Sequence, residues 1–426
     1  MLRRIDASEV ELGMFIQRLE GNWFSHPFWR RRFVLTDAGD LEVLRGSGVA
    51  GVIIDESRSQ RVEPKPQRKV SLPPAPPPPS PSAPLHRGVP RAIGSLRGPR
   101  GGSETPLPIA REFGAAQAAA NRSRRLISQA FLKARLGKGV AVGDVEPVVE
   151  EIYTSVQRNI HAFAGLLRCQ RDKQETYRHA LSVCALMIAL ARKLRLSPAE
   201  TYEAGMAGLL MDVGVGRLPD SLDHVEGDYR ALRQQLLDQH ILFGHDMLCV
   251  AGGIPESVLA VARNHHERMD GSGYPNGLRG PEIDQLSRMA AICDEFDYLV
   301  GGGFGRPPID PAAAIEALIA ESDKYDPEIM RAFIESVGVY PIGTFVALRS
   351  GKLAMVVDID HDDAARPVVR TFQSLKTGKG VQGETIRLAQ CWGADGIEGI
   401  ADLSGVEIPD FGALQERLLK AACKIG

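Results

Sequence analysis

Residues 265–275 read His265-His266-Glu267-Arg268-Met269-Asp270-Gly271-Ser272-Gly273-Tyr274-Pro275. Two adjacent imidazoles and a carboxylate run into a turn that Gly271 and Gly273 permit and Pro275 fixes. The same residue types recur on either side of this stretch, in a helical pattern. Six of the ten histidines lie between 175 and 300, at 179, 224, 240, 245, 265 and 266. Glu175 and His179 stand four apart on a predicted helix, so both leave one face. Leu209 to Gly214 sets Asp212 among apolar residues at a predicted helix end. Asp294, after the apolar Met289 to Cys293, is read as a second acid at the end of such a stretch. Imidazoles and carboxylates together are the ligand set of manganese, iron and zinc. Two such ions roughly 4 Å apart clamp the attacking and leaving oxygens of a phosphoryl displacement. Taken singly, each side chain has a plainer alternative as a core or surface residue. Spread over several helices, the set suits a metal centre, but spacing alone leaves that reading and the plainer one equally open.

The eleven-residue stretch resembles the HHExxDGxGYP signature of the HD-GYP domain. That family is a branch of the HD metal-dependent phosphohydrolases, associated with hydrolysis of the bacterial messenger cyclic di-GMP. The similarity extends over most of residues 169–340, including Gly277-Leu278 and Arg288 to Asp294. Residues 1–56 resemble a small domain of unassigned function that often precedes HD-GYP domains. From Tyr340-Pro341 onward the chain is similar to the β-rich tail of the same subgroup. Carried over residue by residue, the resemblance implies His179, Asp212, His240, His265, His266 and Asp294 as metal ligands. It implies Asp212 as the catalytic residue that bridges two ions, and Glu175 as the carboxylate that helps hold a third in some members. Iron or manganese is implied, with zinc an alternative. Cyclic di-GMP is the implied substrate, with Tyr274 and Arg306 contacting it. The Gly-Tyr-Pro loop reads either as a structural turn in which Tyr274 packs or as a surface for a nucleotide or a signalling protein, and a homodimer is left open.

The departures from the family pattern bear on activity. The His-Asp pair is Met211-Asp212 here, and a thioether suits copper(I) better than manganese or iron. Val215 stands where a phosphate-contacting lysine is expected, and Ile309 where a second basic residue follows Arg306. Ile241 replaces a proline after His240. His245, five residues after His240, points to a different helix face and does not supply the missing imidazole. Two readings follow. One is a metal-dependent phosphodiesterase with reduced activity. The other is a catalytically silent module that binds cyclic di-GMP or a signalling partner.

The expected architecture is multidomain and mainly α: an HD-type helical bundle, preceded by a small α/β module and a Pro-rich linker, followed by a small β-rich tail. Residues 57–108 hold 14 of the 28 prolines and carry a net charge of +7, which leaves −9 for the remainder. Such a stretch buries too little apolar surface to offset its ordering entropy, and reads as a semi-extended linker. It serves as a passive spacer or as a basic docking strip. In residues 1–56, Phe33 to Leu35, Leu41 to Leu44 and Val49 to Ile54 read as short strands, with Asp37 to Asp40 as a turn. Residues 109–168 form a helical lead-in, with helical spacing over 111–135 and 144–168. Residues 169–339 form the HD-GYP helical domain, in which Ser197, Asp310 and Asp326 sign helix starts and Gly338 an end. Residues 340–426 form the tail, with strands over 344–348, 353–359 and 367–372 and a final helix from Asp410 to about Cys423. The longest near-apolar run, Ala180 to Ala191, is too short to span a bilayer. The N-terminus has no signal-peptide core. Six cysteines without a Cys-x-x-Cys pair fit a reduced cytoplasm. The net charge of −2 gives no signature of a nucleic-acid polymer as partner.

Overall fold

The computed structural model describes residues 2–20, 33–35, 41, 44–45, 51–59, 107–136, 139–170, 175–217, 234–302, 307–360, 363–391, 395–404, 406, 408 and 410–424. Two compact units divide the chain, residues 1–95 and 96–426.

The first unit is a four-stranded antiparallel sheet of β1 (Leu2–Ile5), β2 (Phe15–Glu20), β3 (Phe33–Val34) and β4 (Gly51–Asp55), in the order β1-β4-β2-β3. Ile5, Val10, Ile16, Leu35, Leu44, Val52 and Ile54 form its small core. The strand expected over Leu41 to Leu44 is not found: Leu41, Leu44 and Arg45, the described residues there, are helical. Leu44 still packs in the core, so the apolar pair reflects burial at helical spacing. The turn expected at Asp37 to Asp40, and the linker between 60 and 106, lie outside the described residues.

The second unit is built on α1 (Ile109–Arg135), α2 (Val142–Arg158), α3 (Ala162–Cys169), α4 (Glu175–Lys193), α5 (Pro198–Leu210), α6 (Gln234–Ala251), α7 (Glu256–Asn264), α8 (Gln285–Gly301), α9 (Pro311–Ala320) and α10 (Pro327–Val337). The apolar run Ala180 to Ala191 is buried on every face. That makes α4 the central helix, as a stripe with no polar side requires. Gly205 and Gly208 let α5 lie close against it. A Cβ at Gly208 would stand 3.0 Å from the Val183 carbonyl oxygen and 3.1 Å from the Cys184 nitrogen. The helix expected over 144–168 is broken at Asn159, whose backbone is extended. Its side chain accepts from the amides of His161 and Ala162 and donates to the Leu107 carbonyl, so it starts α3 in a new direction.

The tail is a five-stranded antiparallel sheet of β5 (Phe345–Leu348), β6 (Lys352–Asp358), β7 (Val368–Ser374), β8 (Thr385–Arg387) and β9 (Ile397–Ile400), in the order β8-β7-β6-β5-β9, followed by α11 (Phe411–Cys423). Period two sorts its residues. Phe345, Met355 and Val357 join the core of the helical block, while Val346, Ala354 and Val356 form a separate cluster on the other face. No described helix is long and apolar enough to cross a membrane.

Candidate metal centre

Four elements converge on Asp212. It lies two residues beyond α5, where Met211 closes the helix and a short 3-10 turn, Val213–Arg217, follows. The α4–α5 crossing sets it opposite His179, in the second turn of α4. Gly214 then brings this turn against α6. A Cβ there would stand 1.9 Å from the His240 carbonyl oxygen and 2.4 Å from the Gly244 nitrogen, so only glycine permits the approach. His265 caps α7 and His266 follows it, while Asp294 comes from α8. Asp294 follows the buried run Met289 to Cys293 as the sequence suggested, and it sits in the middle of α8 because the apolar pattern resumes at Phe296 and Val300.

The ligand atoms form two sets that share Asp212. One set is Asp212, His240, His265 and His266, and the other is His179, Asp212 and Asp294; within each, the atoms lie within 4.8 Å of one another. His179 Nε2 stands 3.2 Å from Asp212 Oδ2 and 3.1 Å from Asp294 Oδ1. His240 Nε2 and His265 Nε2 stand 3.4 and 3.5 Å from Asp212 Oδ1, and 3.4 Å from each other. Both Asp212 oxygens are buried yet meet these nitrogens without hydrogen-bond geometry. A buried carboxylate ringed by imidazole nitrogens that do not satisfy it fits a cation among them. The donor set therefore fits a divalent-metal centre.

Burial opposes a charge on His179, but Asp212, Asp294 and Asp297 overcome it and hold its pKa well above the ordinary imidazole value. Burial likewise opposes ionisation of Asp212, and the surrounding imidazoles reverse that, holding its carboxyl well below the usual range. Asp297 is also buried, and Arg178, His179 and Ser182 bring it down to about 2.

The glycine-rich turn closes over the doublet. Gly273 has no room for a Cβ, which would meet the His266 carbonyl oxygen at 2.5 Å. The Tyr274 ring stacks on His266 with centroids 4.6 Å apart and planes 17° apart. Glu267 is buried, and its oxygens accept from the amides of Asn276 (2.7 Å) and Leu278 (3.0 Å). Among the residues proposed from sequence, His179, Asp212, His240, His265, His266 and Asp294 thus come together, with Tyr274 beside them. Glu175 opens α4, but its side chain lies outside the described residues, as do Arg306 and His224. Met211 is buried in the apolar core, Val215 is half-buried and Ile309 is exposed. His245 pairs with Asp246 and Cys249 on its own helix and takes no part in the centre. The sequence reading missed Asp297, Gly214 and the loop-holding role of Glu267. Asp297 had a signal, three residues after Asp294 and therefore on one helix face with it.

Comparison with known proteins agrees with this geometry. A profile described as a domain of unknown function (DUF3391) matches residues 2–145, and the HD domain profile matches residues 167–329. The cyclic di-GMP phosphodiesterase PA4108 of Pseudomonas aeruginosa is 33% identical over 400 residues, which is 94% of this chain and 92% of that one. The chain belongs to the HD-GYP family. Two more distant matches cover less. A cyclic di-GMP phosphodiesterase of Thermotoga maritima is 28% identical over 195 residues, 45% of this chain and 53% of that one. The 3′3′-cGAMP-specific phosphodiesterase 2 of Vibrio cholerae is 30% identical over 164 residues, 38% of this chain and 31% of that one. The solved structure of Bd1817, an HDG"Y"P protein from Bdellovibrio bacteriovorus, aligns at a TM-score of 0.42 and 15% identity, over 79% of this chain and 99% of that one.

Proposed function

We propose that this chain hydrolyses a phosphodiester bond of cyclic di-GMP, using divalent ions held by His179, Asp212, His240, His265, His266 and Asp294. The observation that carries the reading is the pair of donor sets sharing the buried Asp212. When bound, such ions supply Lewis acidity toward the phosphate and activate a water. Iron or manganese suits the mixed imidazole and carboxylate donors, with zinc the alternative, and Glu175 is the proposed aid to a third ion. Asp212 is the catalytic residue of the proposal, since it belongs to both sets. Tyr274, held flat on His266, offers a ring edge and hydroxyl to the dinucleotide, and Arg306 offers a cation to its phosphate. The cytoplasm is the proposed compartment, and the exposed Ser272, Pro275 and Asn276 are the proposed docking face for a signalling partner.

A second reading, binding without turnover, draws on the three-donor set around His179 and on the apolar Val215 and Ile309. One experiment separates the two. Purified protein is reconstituted anaerobically with iron or manganese and given cyclic di-GMP, and the products are resolved by chromatography. Chelator-sensitive formation of linear dinucleotide or GMP, abolished in Asp212→Ala, supports the enzyme. Intact cyclic di-GMP after incubation with folded, metal-loaded protein supports the binding module.

A further inference from the structure

The two halves of the centre are supported differently. In the half with four donors, His265 Nδ1 meets the backbone carbonyl of Val261 at 3.0 Å. In the half with three donors, a carboxylate takes that place: His179 Nδ1 lies 2.9 Å from Asp297 Oδ2. An ionised carboxylate only accepts, so Nδ1 carries the proton and donates it. Nε2 is the nitrogen that faces Asp212 and Asp294, and it would ligate once an ion displaces its proton.

Asp297 is itself fixed. It is buried, accepts the Ser182 hydroxyl on Oδ1, and has Arg178 Nη1 3.8 Å from the same oxygen. Gly301 makes room for that guanidinium, since a Cβ there would collide with it. Asp294 and Asp297 lie three apart on α8, so two carboxylates from one helix face grip opposite nitrogens of one imidazole. Arg178, His179 and Ser182 all come from α4, which ties both helices to the same group.

We infer that Asp297 is a positioning residue for the three-donor half: by holding the ring and tautomer of His179 and adding negative charge behind it, it compensates for the smaller donor count. A carboxylate partner raises the donor strength of a ligating imidazole, and losing such a partner typically costs ~10 to 100-fold in metal affinity. A neutral carbonyl behind His265 adds less charge. The two ions should therefore respond unequally to the loss of Asp297. This inference rests on the metal-centre reading above.

The test is a manganese titration of metal-stripped full-length protein, followed by calorimetry and by electron paramagnetic resonance. Wild-type protein is expected to take two ions. Asp297→Ala is expected to bind one of them ~10 to 100-fold more weakly and the other unchanged, with Asp297→Asn recovering part of the loss because it keeps an acceptor oxygen. Circular dichroism and melting of the metal-free variants report the fold. If Asp297→Ala does not fold, Ser182→Ala, which leaves the carboxylate but removes the hydroxyl that donates to Oδ1, carries the same prediction at smaller size. Equal weakening of both ions, or no weakening, overturns the inference while leaving the metal centre standing. Folded wild-type protein that takes up no manganese, iron or zinc overturns both.

Discussion

Glu267 stands inside the histidine-doublet motif, yet its chemistry is with the chain. Its carboxylate takes the amides of Asn276 and Leu278 across the glycine-rich turn. A charged acceptor contributes about 1.5–3 kcal/mol per hydrogen bond. Glu267→Ala is therefore expected to lower the urea midpoint and to speed amide exchange at Asn276 and Leu278, with Glu267→Gln intermediate. Unchanged exchange at those two amides contradicts the assignment. Gly214 makes a second case at this scale. Its missing Cβ would overlap backbone atoms of His240 and Gly244, and no side chain can move aside to relieve that. Gly214→Ala should lower the melting temperature and the metal content together, by displacing α6 and His240 with it. Normal melting and full metal content would show that the turn can yield. Most of the clustered donors were legible from local patterns: the doublet, the acid at a helix end, the acid after an apolar run and the Glu175–His179 spacing; His240 came from the family resemblance alone. Gly214 was not legible, and Asp297 only through its spacing from Asp294, because their reasons lie in other elements. One is an approach between a turn and α6, the other a contact from α8 to α4.

At the scale of elements, legibility follows whether the signal is local. Ser197 and Glu200 form the capping box expected of them, at 3.3 and 2.8 Å. Asp310 and Asp326 accept from the first amides of α9 and α10 as their Asp-Pro pairs announced. Asn159 defeats the periodicity over 144–168 because its side chain answers to Leu107, 52 residues away. The Leu41 to Leu44 strand failed for a related reason. Two apolar residues three apart fit a buried helical turn as well as a short strand, and the packing decided it. Helix crossing was equally silent in the sequence. Gly205 and Gly208 bring α5 to within Cβ contact of α4, so Asp212 faces His179 only because these positions are bare. Gly208→Val would push a branched side chain onto the α4 backbone. Overpacking of this kind typically costs 1–3 kcal/mol, and about that loss is expected by urea denaturation. The same shift should weaken metal binding at the half that pairs His179 with Asp212. A variant that unfolds earlier but binds both ions normally would separate the helix crossing from the site.

Across the 96–426 unit, the sheet and the helices are joined through half-buried carboxylates. Asp310 caps α9 with Oδ1 and holds the Phe345 amide of β5 with Oδ2, both at 2.9 Å. Asp358, at the end of β6, holds the Ile109 amide at the start of α1 at 3.2 Å. Burial dominates both groups and pushes each carboxyl up to about 6, against the opposing pull of these amides. A raised carboxyl pKa means that the folded chain holds the proton more tightly than the unfolded one. The stability each group contributes is complete below the unfolded value near 4 and is lost as pH rises through about 6. A difference of two pKa units is on the order of 3 kcal/mol for each group. Asp297 acts in the opposite sense, but with a folded value of about 2 its stability is lost only as pH falls below the unfolded value, outside this window. Asn removes the titration and keeps an acceptor oxygen. In urea denaturation from about pH 4.5 to 7.5, wild-type protein should lose stability relative to Asp310→Asn and to Asp358→Asn, mostly below about pH 6.5. The double variant should show the sum, since the two carboxyls anchor different strands to different helices. A difference between wild type and variant that stays flat over this range would mean that water or local opening already relieves the buried charge. The joint between sheet and helices would then be looser than its hydrogen bonds imply.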